Sequence, residues 1–110
     1  TTTTWTTTSD ARTKELLGRY DRGLAFLRSL PPVWRYRRNG RFGTQAGEIG
    51  VGFVAQELEA VAPEWVRHSQ YDAPDGSTAE VLRVNQHEHA YVLANAILEL
   101  ADRLDRAGIA

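Results

Sequence analysis

The sequence predicts an α+β domain in which a small antiparallel sheet packs on short helices and a long carboxyl-terminal helix follows. Three observations support this class. Short β-branched and aromatic segments are separated by glycine- and proline-rich turns, short apolar segments recur at helical spacing between them, and the carboxyl-terminal part has sustained helical periodicity. A chain of 110 residues is expected to form one small domain with a modest core.

Composition excludes several classes of protein. The chain is 42% hydrophobic and 25% charged, which is typical of a globular domain, and its net charge of −1 argues against nucleic-acid binding. It has no cysteine, so disulfides, thiolate metal sites and a cysteine nucleophile are excluded. No apolar run approaches the length of about 18 residues needed for a membrane span, and we expect no signal peptide. We expect no cofactor, no nucleic acid and no membrane as partners.

Residues 1–8 differ from the rest of the chain. They are threonines interrupted by Trp5, and β-branched threonine favours extended backbone. We expect them to be the end of an upstream β-rich region, with the globular domain occupying residues 9–110. The missing initiator methionine suggests a fragment of a longer polypeptide, or an engineered or processed start.

The first predicted elements are short helices. Ser9 or Asp10 suits a helix start, and Gly18 keeps any helix there short. Residues 21–30 place leucines and a phenylalanine on one helical face, and the two prolines that follow end that helix.

Strands and turns dominate the middle of the chain. Residues 33–38 predict a strand, and Asn39 with Gly40 favours a hairpin turn after it. Residues 49–54 predict a second, buried strand that follows a glycine-rich segment.

A helix and two more strands are predicted next. Residues 55–62 predict a short helix that Pro63 stops. Residues 65–66 suit a brief strand, residues 73–76 a turn, and residues 79–84 a further strand.

The last predicted helix, residues 86–107, is the longest. Its apolar residues recur at alternating spacings of three and four, which is the heptad pattern of a coiled coil. The residues in this pattern are Ala90, Leu93, Ile97, Leu100, Leu104 and Ala107. Because the pattern is short, two interpretations stay open: association with copies of itself, or packing on the core of its own domain.

One residue stands out for its chemistry. Of the 13 lysines and arginines, Lys14 is the single lysine. Arginine serves equally well for solubility but does not lose its proton at usable pH, whereas lysine does once its pKa is lowered. Ser9 lies five residues earlier, so the pair suggests a serine nucleophile with a lysine base. The alternative is that Ser9 only caps a helix and Lys14 is a solvated charge.

Three sequence blocks carry a resemblance to a known family. They are Ser9-Asp10-x-Arg12-x-Lys14, the block Gly-Val-Gly-Phe-Val-Ala-Gln-Glu-Leu at residues 50–58 with Pro63-Glu64 after it, and the final amphipathic helix. Residues 9–106 resemble the intramolecular chaperone domain of endosialidases and other phage tail spikes and tail fibres, also called the S74 peptidase domain.

The resemblance implies a function and an assembly. Such a domain follows a trimeric β-rich fibre, promotes its folding and trimerisation during virion assembly in the host cytoplasm, and then releases itself. By this resemblance Ser9 is the nucleophile, Lys14 its general base and Thr8–Ser9 the bond that is cut. The partners are two further copies and the upstream region of the same polypeptide, and the parent protein belongs to the virion tail. The alternative is a trimerisation or adhesion module that does not cleave itself.

The chemistry constrains the geometry of this pair. Side chains five residues apart do not stack on an α-helix. Ser9 must therefore lie on extended or capping backbone while Lys14 folds back, or a lysine must reach in from another protomer. The amine must also lose its proton, and burial against Leu16, Leu17 or a neighbouring subunit would favour this.

Other candidate sites receive a structural interpretation. His68, His87 and His89 lack metal-ligand spacing, so we expect no metal site. A second set is better explained by local structure than by binding or catalysis. It comprises the aromatic and basic residues Trp34, Arg35, Tyr36, Arg37, Arg38 and Arg41 (a half-buried strand), Gly47, Gly50 and Gly52 (close backbone approach), and Glu57 and Glu59 (different helix faces).

Overall fold

The structure is a computed structural model that describes residues 7–85 and 88–109. In chain order its helices and strands are α1 (Leu24–Ser29), β1 (Trp34–Arg37), β2 (Ile49–Gly52), α2 (Ala55–Glu59), β3 (Val66–Asp72), β4 (Thr78–Val84) and α3 (His89–Arg106). Single 3-10 turns occur at Ala11–Thr13, Arg41–Gly43 and Pro63–Trp65. The predicted α+β class is confirmed. Most of the threonine tract, and Gln86 and His87 at the predicted start of the last helix, lie outside the described residues. Within those described ranges, no helix is long and apolar enough to cross a membrane.

The strands of the described chain form two separate antiparallel hairpins. In the first, β1 pairs with β2 so that Trp34 faces Gly52 across the strands and Arg37 faces Ile49. In the second, β3 pairs with β4 along the full length of both strands. The strand predicted at residues 65–66 is therefore longer and starts at Val66. Most residues of this strand are polar, so apolar patterning does not predict it. The strand forms nevertheless, because cross-strand hydrogen bonds join backbone groups whatever the side chains are.

Asn39 and Gly40 begin a wide loop between β1 and β2. Asn39 Oδ1 accepts a hydrogen bond from the backbone N–H of Arg41 at 3.0 Å, and Gly40 has a left-handed φ of 85°. The backbone N–H of Arg38 donates to the Glu48 carbonyl at 2.8 Å, so the two ends of the loop stay paired. The turn signal is correct, but it starts a longer connection than a two-residue hairpin turn.

The two faces of the β1–β2 hairpin differ. On one face the Tyr36 ring lies against Gly50, where a Cβ atom would approach the ring to 2.6 Å, so the predicted close approach is confirmed at this glycine. On the other face Ile49 and Val51 are exposed by 56% and 67%. The prediction of a buried second strand is wrong for the described chain, because the strand pairs these aliphatic residues with Arg35 and Arg37 rather than with a core.

The core is small and centres on Trp65. Leu58 and Ala62, from α2 and the residues after it, join Trp65 and Val92 in one buried cluster. Phe26 of α1 meets the Trp65 indole edge-to-face, with ring centroids 5.3 Å apart. Partly buried residues of both strands of the second hairpin, Val66 and Val84, complete the packing. This cluster joins α1, α2, α3 and the β3–β4 hairpin.

Helix α3 packs on α1 through one side only. Val92 and Ala96 are buried there. Asn95 Nδ2 donates to the carbonyls of Tyr20 and Arg22 at 2.9 and 3.0 Å, and a Cβ atom at Gly23 would collide with Glu99. These contacts explain why α1 begins after Gly23 rather than at residue 21.

The heptad residues of α3 lie elsewhere on the helix. Ile97 is 64% exposed, and Leu93 and Leu100 are also exposed. Of the two interpretations left open by the sequence, the structure shows packing of α3 on the core of its own domain. This packing uses the side with Val92 and Ala96, not the side with the heptad residues. Leu93, Ile97, Leu100 and Leu104 are called the heptad seam below. Leu104 is half-buried, and the other three side chains are exposed and available to another helix.

His68 connects three elements at the surface. Its Nδ1 lies 3.0 Å from a Glu80 carboxylate oxygen in β4, and its Nε2 contacts the Glu59 carboxylate at the end of α2. Both carboxylates accept hydrogen bonds, so the doubly protonated imidazolium satisfies both partners. The hydrogen bonds to Glu59 and then Glu80 raise the pKa of His68 above its ordinary value.

Replacing Leu58 by alanine should destabilise the fold strongly. The side chain is fully buried, so truncation removes its packing and leaves a cavity, which costs about 2–5 kcal/mol. The measurement is urea unfolding at a concentration where the chain is monomeric. Leu17→Ala is the matched control, because Leu17 is 91% exposed and its truncation should change the unfolding free energy by less than about 0.5 kcal/mol. Equal effects of the two substitutions would contradict this description of the core.

Stability should decrease with rising pH through His68. A group whose pKa is raised on folding contributes its full stabilisation below its unfolded pKa of about 6.5, and this is lost as pH rises through the higher folded pKa. Thermal unfolding measured from pH 5 to 9 should show this decrease in the wild type. His68→Gln should flatten it, and an unchanged pH profile in that variant would show that the contacts of His68 with Glu59 and Glu80 contribute nothing to this pH dependence.

Candidate functional site

A single 3-10 turn brings Ser9 and Lys14 together. Asp10 has extended backbone (φ −66°, ψ 135°), residues 11–13 form the turn, and Lys14 is extended again (φ −126°, ψ 138°). The Lys14 side chain thereby folds back, and its Nζ donates to Ser9 Oγ at 2.6 Å. Of the two arrangements the sequence left open, this single chain shows a contact within one protomer.

Three side chains hold the turn in place. The Asp10 carboxylate accepts hydrogen bonds from the Arg12 backbone N–H at 2.8 Å, from Arg12 Nε at 3.1 Å and from an Arg12 terminal nitrogen at 2.8 Å. Thr13 Oγ1 donates to the Asp10 carbonyl at 2.7 Å. Of the two capping residues that the sequence allowed, Ser9 and Asp10, the structure shows Asp10. The hydrogen bonds from Arg12 lower the pKa of Asp10 and raise that of Arg12.

Sequence reasoning assigned no role to Arg12 or Thr13. The signal was present in the spacing, because an aspartate accepts from the backbone N–H two residues later in an Asx turn. An arginine at that position adds a charged pair to the same carboxylate. The motif Ser-Asp-x-Arg-x-Lys thus combines Ser9 and Lys14 with the residues that hold the turn between them.

The site lies wholly at the surface of the single chain. Every residue from Thr7 to Asp21 is exposed, and the first buried residue in the described ranges is Gly23. Leu16 and Leu17 are 87% and 91% exposed, so the expected burial of Lys14 against them is absent from this chain. The physical reason is that the segment after Lys14 leaves the turn without regular structure and does not fold over it.

This arrangement has a defined chemical capacity. The lysine nitrogen is within hydrogen-bonding distance of the serine oxygen, as a nucleophile and its base must be. If the amine loses one proton, the same contact reverses, with the Ser9 hydroxyl donating to the nitrogen lone pair. Thr8 precedes the serine directly and is exposed.

The other sequence candidates occupy structural positions. His68 bridges two glutamates, and the His89 ring lies 6.4 Å from that of Trp65. His87 falls outside the described residues. Within the part of the chain that the structure describes, no group of three potential ligands could hold a metal ion.

The aromatic and basic strand is also accounted for by local contacts. Trp34 Nε1 donates to Glu57 at 2.8 Å, and Arg38 Nε donates to Glu48 at 2.8 Å and stacks over Tyr36. Glu57 and Glu59 have different partners, Trp34 and His68, as expected for different faces of α2.

Comparison with known proteins gives one family. The model of the family Peptidase S74, described as chaperone of endosialidase, matches residues 9–67, which is more than half of the 110 residues. The match begins at Ser9 and includes Lys14, α1, α2 and the first hairpin. A search of curated proteins finds no match.

Replacing Arg12 by glutamine should raise the pKa of Asp10 toward its ordinary value of 3.8. The side-chain hydrogen bonds from Arg12 are the largest cause of the lowered pKa, and the backbone N–H that remains should preserve part of the effect. Stabilisation of the turn by this carboxylate is present above the ordinary pKa and lost as pH falls through the lowered one. An NMR titration of the side-chain carboxyl carbons measures the change.

Asp75 provides the internal control for this titration. Its pKa is lowered by hydrogen bonds from Ser77, far from Arg12 in sequence, and should not respond to the substitution. An Asp10 titration unaffected by Arg12→Gln would contradict the hydrogen bonds between Arg12 and the Asp10 carboxylate.

Proposed function

Because the chain belongs to the Peptidase S74 family of endosialidase chaperones, we propose that it is the carboxyl-terminal intramolecular chaperone of a phage tail spike or tail fibre. Residues 1–8 are the end of the upstream β-rich region, and residues 9–110 are the chaperone domain. The domain promotes folding and trimerisation of that upstream region in the host cytoplasm. It then cuts the Thr8–Ser9 bond once, in cis, and leaves the mature protein in the virion tail.

The contact between Lys14 Nζ and Ser9 Oγ, at 2.6 Å, carries the proposal of self-cleavage. Lys14 is the single lysine of the chain, and its nitrogen lies within the hydrogen-bonding distance that a general base requires. The locked turn of Asp10 and Arg12 supports the proposal further, because a reactive pair needs a fixed geometry.

The chemistry follows from this geometry. The neutral Lys14 amine takes the proton of Ser9 Oγ, and the oxygen attacks the carbonyl carbon of Thr8 through a five-membered ring. The C–N bond breaks, the Ser9 nitrogen receives a proton and becomes an amine, and the Thr8 acyl group is left as an ester on Oγ. Water hydrolyses the ester to a Thr8 carboxylate and a Ser9 hydroxyl. Nucleophile and bond share one chain, so proximity is built in.

Exposure of the site supports a link between cleavage and assembly. A lysine in water is a poor base near neutral pH, and desolvation favours its neutral form. In the single chain Lys14 and the leucines after it are exposed. Covering this segment in the assembled precursor, by a neighbouring copy or by the upstream region, would supply the desolvation that the lone domain lacks.

The heptad seam of α3 supports the trimer. Leu93, Ile97 and Leu100 repeat at coiled-coil spacing and are exposed in the single chain, where they would cost stability if left in water. Three copies could bury these side chains against one another along a common axis.

Lys14→Arg should abolish self-cleavage of a chain that carries the upstream fibre region. Arginine keeps the charge and much of the bulk but cannot serve as a base, so the rate should fall by about 10²- to 10⁴-fold. Intact-mass analysis after expression measures it. The wild type should give two fragments divided between Thr8 and Ser9, and Ser9→Ala should give only the uncut chain.

Arg28→Lys in α1 is the control, because Arg28 is exposed and distant in sequence from the turn. It should be cleaved like the wild type. Wild-type cleavage by Lys14→Arg would remove Lys14 from the mechanism. An uncut wild-type chain in a correctly assembled trimer would instead favour the rival function, a trimerisation or adhesion module without peptidase activity.

A further inference from the structure

Helix α3 has three distinct sides. Successive residues are about 100° apart around a helix, which places Val92, Ile97 and Leu98 on three different sides. The first side, with Val92 and Ala96, is buried in the core of its own domain. The second is the heptad seam around Ile97. The third side, here called the flank, carries Leu98, Asp102 and Asp105. The three sides are separated by roughly 120°, measured between their centres.

The flank is exposed and negatively charged. Leu98 is 66% exposed, and Asp102 and Asp105 are exposed beside it. Among the described residues, neither aspartate forms an ion pair.

The exposed face of the β1–β2 hairpin has the opposite charge. Strand register places Arg35 opposite Val51 and Arg37 opposite Ile49, so all four side chains share one face. Both aliphatic residues are more than half exposed, and both arginines are exposed. In the described ranges neither arginine has a carboxylate partner. This face is here called the basic face. Like the flank it combines exposed aliphatic and charged side chains, but its charges are positive.

We infer that the flank of α3 docks against the basic face of a second copy of this chain. Two exposed arginines beside two aliphatic residues would meet two exposed aspartates beside a leucine, with charges and apolar surface both complementary. The inference rests on the proposed trimer and names the contact that would join neighbouring protomers outside its axis.

The arrangement of the three sides of α3 is what a trimer requires. If the seam faces the axis, the remaining two sides point to the left and right of each helix. The side with Val92 and Ala96 packs on the core of its own domain. The flank therefore faces the neighbouring protomer. The flank and the basic face are different surfaces, so the contact is heterologous, and a heterologous contact repeated around a three-fold axis closes into a ring.

A charge exchange tests the inference. Arg35→Asp with Arg37→Asp, or Asp102→Arg with Asp105→Arg, places like charges against each other. Each double variant should raise the concentration at which half of the chains are trimeric by at least about tenfold. The quadruple variant restores opposite charges and should recover most of this loss. Sedimentation equilibrium gives the assembly state, and circular dichroism checks that each monomer is folded.

The outcomes separate this inference from the proposed function. A wild type that forms trimers, with no recovery in the quadruple variant, would overturn the docking contact alone. A wild type that stays monomeric at all concentrations would overturn the proposed trimer and the contact with it. Loss of binding to a polyanion such as heparin in the arginine variants, with unchanged assembly, would assign the basic face to a different ligand and overturn the contact.

A second measurement does not depend on charge. The chain has no cysteine, so introduced thiols are the only ones present. Val51→Cys combined with Leu98→Cys should give covalent products ending at three chains when treated with a short thiol cross-linker. Either cysteine alone should give no product beyond two chains. Failure of the double variant to cross-link as a trimer would overturn the inference even if the charge variants did not fold.

Discussion

The packing of Trp65 against Leu58 and Val92 is the interaction on which the described fold depends. Each of the two hairpins has only two strands, and an isolated two-stranded hairpin is marginally stable in water. The cluster around Trp65 gives the second hairpin and three helices one shared apolar surface. Phe26 meets the same indole from α1, so the short helices, which are too short to be stable alone, are held by tertiary contacts rather than by helix propensity.

The proposed reactive pair lies outside this core and depends on short-range contacts. Asp10, Arg12 and Thr13 hold the turn through hydrogen bonds that span two or three residues. These contacts, and the one between Lys14 and Ser9, all lie within residues 9–14. What the turn lacks is protection from water, which burial in an assembly would provide. In this proposal the turn sets the distance between Lys14 and Ser9, and burial between chains favours the neutral form of the lysine. An unassembled chain would then hold the pair in place without cutting itself.

The small core also explains the amount of apolar surface left uncovered. Of the residues that the structure describes, five hydrophobic ones are buried, whereas Ile97 and several leucines of α3, and the aliphatic residues of β2, remain exposed. A domain this small cannot cover all sides of an 18-residue helix. Exposed apolar patches often mark surfaces that bind other proteins. In the proposed trimer, the heptad seam and the acidic flank would make two different contacts with neighbouring copies.

The sequence by itself determined the α+β class, the order of most elements, the family and the Ser9–Lys14 pair. These follow from local patterns: helical or alternating periodicity, turn residues, and a motif whose residues contact one another within five positions. The tertiary structure alone decided which side of α3 is buried, that Ile49 and Val51 face solvent, and that His68 joins α2 to the second hairpin. These depend on contacts between residues far apart in the chain, and periodicity shows that a helix or strand has an apolar side without showing what that side will meet.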